Sequence, residues 1–501
     1  MSDKILTIDL SSTFIKVALL SAELEIERVV NQSIDILEEG IDGFAKIFDM
    51  NQLWNKICLA IKQIILQSGD QNLNIIGIST CAQRIASVFI DNRGKEIYGG
   101  PNIDIRGIDS AYIIEDEFTE KELFNITGHT PSLLFTLARI LWFREEAEEK
   151  FEKIKKILML DDWLIYRLSG ELVSDPSSAA ESQLLDIKKR RWSNEIIESF
   201  NLDPNFFPDI VESGTVIGQL KLDLIKKFNI NQDRIPVIKT GGDTQASLLG
   251  MGAIKEGDIG ISLGTTAPLQ LVIKKPLFDP ECNYWASCHS IKGKWLIEAH
   301  AGNTGASYNW FKDTFINVPT TNKDALIDQY LRETLPGACS TFAYLGPEKM
   351  NIKNQTSIKR GVFIFPPPQL ISNELPKINS FARSVIENIT FGIYENFIAL
   401  NNFIDLKPRL FCGGGMAKSL EFRKILANVL DSVVLTPAIK ESSFIGTAMN
   451  TLKGLGLYPD YKSIINDLFN YENIDKEAQF VESYKIIYNE WKNIKNKIDD
   501  L

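Results

Sequence analysis

Residues 5–20, ILTIDLSSTFIKVALL, consist of two branched apolar runs separated by Asp9 and by the hydroxyl group Ser11, Ser12 and Thr13. The pattern predicts strand, tight turn, strand, with oxygens and exposed amides at the tip. Far downstream, residues 259–273, IGISLGTTAPLQLVI, repeat it, and an offset of 253 carries Leu10, Ser11, Ser12 and Thr13 onto Leu263, Gly264, Thr265 and Thr266. That offset is close to half of the 501 residues, so the chain reads as two copies of one architectural unit, each opening with the same hairpin. Asp9 falls on Ser262, so the copies share a shape and divide the chemistry.

A chain of this length, 44% hydrophobic and 24% charged, can bury sizeable cores and exceeds one ordinary domain. Its net charge of -11 offers no basic stripe for neutralising phosphates, which argues against a nucleic-acid partner. No apolar stretch is long enough to cross a bilayer and the N-terminus enters a strand, so a cytoplasmic location without membrane contact is expected. Cys58, Cys81, Cys282, Cys288, Cys339 and Cys412 form no CxxC pair, and His129, His289 and His300 form no HExxH. Neither a structural zinc site nor a disulfide framework is expected.

Along the chain, strand and helix patterns alternate, which implies layered α/β domains. Leu53–Gln67 has helical spacing, Leu73–Thr80 reads as a buried strand, and residues 86–100 read as a hairpin turning at Asn92, Arg93 and Gly94. Residues 133–151 read as a helix with Leu134, Leu137, Leu141 and Trp142 on one face. FIFPPPQL (363–370) marks an irregular connection, and residues 484–501 read as an amphipathic capping helix. A boundary is expected near residues 246–258.

Two glycine corners carry the remaining chemistry. IPVIKTGGDTQASLLGMG passes from strand through Gly241 and Gly242 to Asp243 and a helical pattern, so a carboxylate sits where the backbone can be approached closely. The bland alternative is a helix-capping Asp243. PRLFCGGGMAKSLEFRKILANVL again runs strand, Gly413–Gly415, helix, presenting amides and room for a flat ring. The order hairpin, GGD corner, hairpin, GGG corner suits a nucleotide held between two lobes.

These motifs, with PNIDIRG (101–107), residues 131–146, VIENITFGIYENF and residues 440–459 in the same order, resemble the FGGY carbohydrate kinases over essentially the whole chain. The resemblance implies two ribonuclease-H-like domains of the actin and hexokinase type flanking a deep interdomain cleft. It implies a sugar-binding domain over residues 1–247 and a nucleotide-binding domain over 248–501, with the last helix allowed to pack back on the first.

It also assigns roles. Asp243 resembles the catalytic base and, with Asp9, a ligand set for Mg2+. Ser12, Thr13, Lys16, Gly264, Thr265 and Thr266 match phosphate-cradling positions for ATP, and Gly305, Asn309, Gly414, Gly415 and Lys418 match positions around the adenosine. Arg84 and Asp104, with Gln83, Asp243 and Thr244, match the substrate side, and Arg106 reads equally as an ion pair. An aspartate of ordinary acidity is ionised at neutral pH and orients the attacking hydroxyl. Closure of the lobes over ATP and sugar is expected to exclude water.

The chain departs from the family pattern at Ser11, where glycine is usual, at Arg139, where lysine is usual, and at Ile85, where glycerol kinases carry Glu. The NIDIR and SGELVSDPSSA elements are closest to autoinducer-2 kinases, while Arg84-Ile85 stands where xylulokinases carry Met-His. The expected activity is transfer of the γ-phosphate of ATP to a small open-chain ketose or related polyol, xylulose-like or autoinducer-2-like. A glycerol kinase, or a catalytically silent sugar- or nucleotide-binding protein, is the alternative, and a homodimer is the assembly allowed for.

Overall fold

Strand β1 (Asp3–Leu10) is buried along nearly its whole length, because both faces of its sheet are covered: Ile5, Leu6, Ile8 and Leu10 enter the core, and Lys4, Thr7 and Asp9 are buried polar groups among them. It pairs antiparallel with β2 (Phe14–Ser21), Asp9 opposite Lys16, and the tip between them leaves Ser12 and Thr13 exposed. The computed structural model describes residues 3–40, 43–69, 73–318, 322–351, 360–367, 375–438 and 441–499. The end of the Pro-rich segment, from Pro368 on, lies outside the described residues.

The sheet continues through β3 (Ile26–Ser33), β4 (Asn74–Ala82), β5 (Thr215–Gln219) and β6 (Pro236–Gly242) in the order β5-β6-β4-β1-β2-β3. Strands β1, β4 and β6 run parallel, and β2, β3 and β5 are antiparallel to their neighbours. A second sheet contains β7 (Asp258–Ser262), β8 (Pro268–Ile273), β9 (Trp295–His300), β10 (Arg409–Gly413), β11 (Val434–Pro437) and β12 (Tyr471–Ile474) in the order β9-β8-β7-β10-β11-β12. Here β7, β10 and β11 are parallel, and β8 and β12 run against their neighbours. Strand by strand, β1, β2, β3, β4, β6 and β5 correspond to β7, β8, β9, β10, β11 and β12. The duplicated α/β architecture expected from the two hairpins is present.

The chain divides into two compact units. The first comprises Met1–Ile254, Ile273–Leu296 and Glu441–Phe469, and the second Lys255–Val272, Ile297–Lys440 and Asn470–Leu501. In the first, helix α1 (Met50–Ser68) covers the sheet with Leu53, Trp54, Ile57, Ile61 and Ile64, spaced to share one face. Asp49 caps it by accepting from the Gln52 amide at 3.0 Å, and Gly69 ends it at φ 65°. Each of these apolar side chains contributes about 1.5–3 kcal/mol on burial, so Ile57→Ala is the kind of change the layer feels. Helices α2 (Leu160–Ser169) and α3 (Asp243–Gly250) belong to the same unit, as does the helix Ser442–Gly454.

In the second unit, α4 (Thr304–Phe315) packs on α5 (Ile378–Asn401), and α5 packs with the C-terminal helix α6 (Ala478–Asp499). Arg383 of α5 bonds Glu387 at 2.9 Å and the Tyr484 hydroxyl at 2.5 Å, and Trp491 donates to the Ala343 carbonyl at 3.1 Å. The last helix therefore belongs to the second unit and not to the first.

The helix anticipated over 133–151 runs over Thr136–Glu146 and Glu148–Phe151, broken at Ala147, whose φ and ψ of -144° and 49° are not helical. Leu137 and Leu141 are in the core, whereas Trp142 is half-buried, with the Arg106 guanidinium 5.0 Å from its ring.

Candidate active site

The parallel strands of the first sheet end together. Asp9 of β1 is in register with Cys81 of β4, which is in register with Gly241 of β6, and Asp243 follows where β6 turns into α3. Adjacent strands lie about 4.8 Å apart, so both carboxylates stand at the carboxyl edge of one sheet, the usual place for ligands in α/β folds. Asp243 does not cap α3: it is the first helical residue, and Gly242 holds the cap position.

Asp9 is buried and accepts from Ser443 Oγ at 2.8 Å through Oδ2, while Oδ1 is buried with no hydrogen-bond partner among the described residues. Burial lifts its acidity range, against the pull of Lys16 on the facing strand. Burial and the charge of Asp9 push Asp243 up to about 7, with Arg84 and Thr244 opposing. The ordinary acidity expected of Asp243 is thus corrected: it titrates near neutrality. Thr244 donates to Asp243 Oδ1 at 3.1 Å.

Arg84 lies beside Asp243 on a loop whose next residue, Ile85, has φ 70°. A branched residue in the left-handed region costs about 1–3 kcal/mol and persists only when its surroundings hold it. Arg139 does so. Fully buried, it donates to the carbonyls of Ile85 (2.9 Å), Pro101 (3.0 Å), Asp104 (3.1 Å) and Leu134 (3.1 Å), a clamp that needs the planar fork of arginine. Gly242 packs closely here too: a Cβ would lie 3.0 Å from Arg84 Cγ and 2.6 Å from Gln245 Oε1, so it would displace those side chains. Arg84 Nη1 reaches Glu181 Oε1 at 3.4 Å, and the same oxygen accepts from Gln245 Nε2 and Ser287 Oγ, each at 3.1 Å.

Two substrate-side expectations are revised. Asp104 is fully buried, its carboxylate engaged by the Tyr98 hydroxyl, by Arg106 Nε at 2.8 Å and by the Lys46 amide at 2.9 Å. It is a scaffold carboxylate, and Arg106 is its ion-pair partner, bonded also to Glu39 at 2.9 Å. Gln83 is a tether: it donates to the Ser11 carbonyl at 3.2 Å and accepts from the Asn102 amide at 3.1 Å, tying the first hairpin tip to the 101–106 loop. Ser11 keeps a negative φ and closes the turn by donating to and accepting from Phe14, so the tip does not depend on glycine at that position.

A buried cluster unnoticed in the sequence supports the corner. Lys239 of β6 pairs with Asp161, with Asp162 at 2.8 Å and with Asp175 at 3.1 Å, its ammonium filling the space among three carboxylates that could otherwise hold an ion. Burial pushes Asp161 and Asp162 up in spite of that ammonium. The signals were the DD pair of LDDWL and the Asp of SDPSS.

In the second unit, the tip Gly264–Thr265 is exposed. The start of α4 presses against it: a Cβ on Gly305 would lie 2.1 Å from the Gly264 carbonyl oxygen, and Ala306 N donates to the Thr265 carbonyl at 3.1 Å. Asn309 is one helical turn beyond Gly305 and exposed. Leu263 N donates to the Gly413 carbonyl at 2.8 Å, which seats Gly414 and Gly415 beside the tip, and Lys418 closes the following turn at 3.2 Å from the Gly415 carbonyl. The second set of predicted residues is therefore brought together: Gly264, Thr265, Asn309, Gly415 and Lys418 are exposed around the tip, Thr266 and Gly414 half-exposed, and Gly305 is buried beneath it.

The donor set at Asp9 fits a hard divalent cation: a buried carboxylate oxygen without a partner, at one sheet edge with a second carboxylate. Among the described residues no helix is long and apolar enough to cross a membrane.

Known proteins resemble the chain along most of its length. Residues 4–250 match the N-terminal domain of the FGGY family of carbohydrate kinases. The sugar kinase YoaC of Bacillus subtilis is 29% identical over 448 residues, 89% of this chain and 88% of that protein. An autoinducer-2 kinase of Salmonella choleraesuis is 27% identical over 422 residues, 82% and 78% of the two chains. The crystal structure of a xylulose kinase from Lactobacillus acidophilus superposes with a TM-score of 0.86 at 19% identity, covering 99% of this chain and 98% of the other.

Proposed function

The chain belongs to the FGGY family of carbohydrate kinases and is a phosphotransferase that uses ATP, and from that premise we propose that its acceptor is a small open-chain ketose or related polyol. The observation that carries the reading is Asp243: a partly exposed carboxylate at the edge of the sheet, titrating near 7, beside the donor Arg84. A base with a pKa near the working pH both exists in its ionised form and holds a proton well enough to take it.

In the proposed reaction Arg84 donates to an acceptor hydroxyl and Asp243 accepts from the one that reacts. The hydroxyl oxygen bonds to the γ-phosphorus as the bond from that phosphorus to the bridging oxygen of ADP breaks, and the proton passes to Asp243. Ser12, Thr13 and Lys16 of the first tip, and Gly264, Thr265 and Thr266 of the second, are assigned to the phosphates. Gly305, Asn309, Gly414, Gly415 and Lys418 are assigned to the adenosine. Asp9 and Asp243 would hold Mg2+, which when bound offsets charge on the phosphate oxygens. Asp104 and Gln83 act by holding the loop and the tip.

ADP release measured against D-xylulose, autoinducer-2 and glycerol tests the reading. Acceptor-dependent release, lost by about 10²–10⁴-fold in Asp243→Asn, is the expected result, and release that persists unchanged in the variant would refute the role of the carboxylate.

A further inference from the structure

Glu181 is fully buried, and its hydrogen bonds all fall on one oxygen. Oε1 takes Arg84, Gln245 and Ser287, whereas Oε2 has no hydrogen-bond partner among the described residues. His129 Nε2 stands 4.0 Å from Oε2, its ring packed against Phe135 and Trp285 at centroid distances of 4.6 and 5.4 Å. Nothing in the phosphoryl-transfer chemistry above calls for this group.

An arginine in a sugar pocket would by itself recruit a carboxylate, since its planar fork matches one bidentately. Here that attraction is already answered twice. Glu181 pairs with the guanidinium at 3.4 Å, and Asp243 is close enough for Arg84 to lower its pKa. Asp9 adds a third negative charge along the same sheet edge, opposite Lys16. A neutral hydroxyl suits this setting, because it can accept from Arg84 and donate to a carboxylate at once. A sugar acid brings a further carboxylate to an arginine that Glu181 already pairs with.

We infer that Glu181 is a specificity-determining residue: by pairing with Arg84 it restricts the acceptor to neutral ketoses and polyols and excludes sugar acids. The inference rests on the reading of Arg84 as an acceptor-binding residue. Glu181 acts through Arg84 and Gln245 and is a positioning residue, so its signature is a change in the ratio between neutral and acidic acceptors and not merely a loss of rate.

The test measures kcat/KM for D-xylulose, autoinducer-2, glycerol and D-gluconate in the wild-type enzyme, Glu181→Gln and Glu181→Asp, with calorimetric binding of D-xylulose and D-gluconate in parallel. The wild type is expected to favour its best neutral acceptor over D-gluconate by about 100-fold or more. Glu181→Gln, which keeps the accepting oxygen and loses the charge, is expected to narrow that ratio by about tenfold, the size of one charge interaction in a partly buried site. Glu181→Asp keeps the charge and is expected to keep the discrimination. A wild type that uses D-gluconate as well as the neutral acceptors, or a folded Glu181→Gln with an unchanged ratio, overturns the inference. If no acceptor releases ADP, the proposed acceptor class fails, and the calorimetric ratio still decides the charge preference. If Glu181→Gln does not fold, the wild-type ratio and Glu181→Asp decide it.

Discussion

Ser443 reaches across 434 positions of sequence to donate a hydrogen bond to Asp9 at 2.8 Å. The bond fixes the carboxylate plane and leaves Oδ1 as the bare oxygen. Groups that orient a ligating carboxylate commonly weigh 10–100-fold on metal affinity. Ser443→Ala is therefore expected to raise the Mg2+ concentration for half-maximal rate by about tenfold, with little change at saturating Mg2+. Titration of the rate with Mg2+ checks this, and an unchanged midpoint would separate Asp9 from the metal.

Asp243 gives a pH signature of definite sign. Its pKa is about 7 in the folded protein, well above an ordinary aspartate, and only the ionised form accepts a proton. The acceptor kcat/KM should fall about tenfold per pH unit on the acid side of the Asp243 titration, which bound Mg2+ would move below its value in the free protein, and level off above it. Stability runs the opposite way. A carboxylate whose pKa rises on folding adds stability below its unfolded pKa and loses it as pH rises toward 7. Asp243→Asn should therefore melt higher than wild type at pH 8 and show less advantage at pH 5, as differential scanning fluorimetry would read.

What the sequence made visible was what is local. Both hairpins, the GGD and GGG corners and the helix over Met50–Ser68 follow from short-range apolar patterns and turn residues, and the structure has each of them. What stayed hidden depends on partners distant in sequence. Asp104 reads as a free polyol acceptor until Tyr98, Arg106 and Lys46 close around it. Glu181 carries no motif, and only folding brings Arg84, Gln245 and Ser287 to it. The near-neutral titration of Asp243 likewise comes from burial in the folded chain and from the charge of Asp9, 234 positions earlier.

Lys239 and its three aspartates make a second case in which distant residues set the behaviour of the corner. Removing one member of a buried charge cluster leaves the rest uncompensated, a loss of about 3–5 kcal/mol. In Lys239→Met the carboxylates lose their counter-charge: Asp161 and Asp162, already pushed up by burial, rise further, and Asp175, held low by the ammonium, rises from below its ordinary value. Their stabilising contribution is then present in acid and lost as pH climbs through neutrality. The deficit in urea unfolding should be largest at pH 8 and shrink at pH 5, and a deficit independent of pH would contradict the charge account.

Gly305 supplies the sharpest steric test of the second unit. Its missing side chain lets α4 begin against the exposed tip, and a Cβ there would meet the Gly264 carbonyl oxygen at 2.1 Å, far inside contact distance. Backbone must then move, because neither atom belongs to a flexible side chain. Overpacking of this kind costs about 1–3 kcal/mol, and here the displacement falls on the amides and hydroxyls of Gly264 and Thr265. If that tip holds the nucleotide, Gly305→Ala should raise KM for ATP by about tenfold and leave the acceptor KM nearly unchanged. Steady-state kinetics with each substrate varied in turn distinguishes this from general damage, which would move both constants or the melting temperature alone.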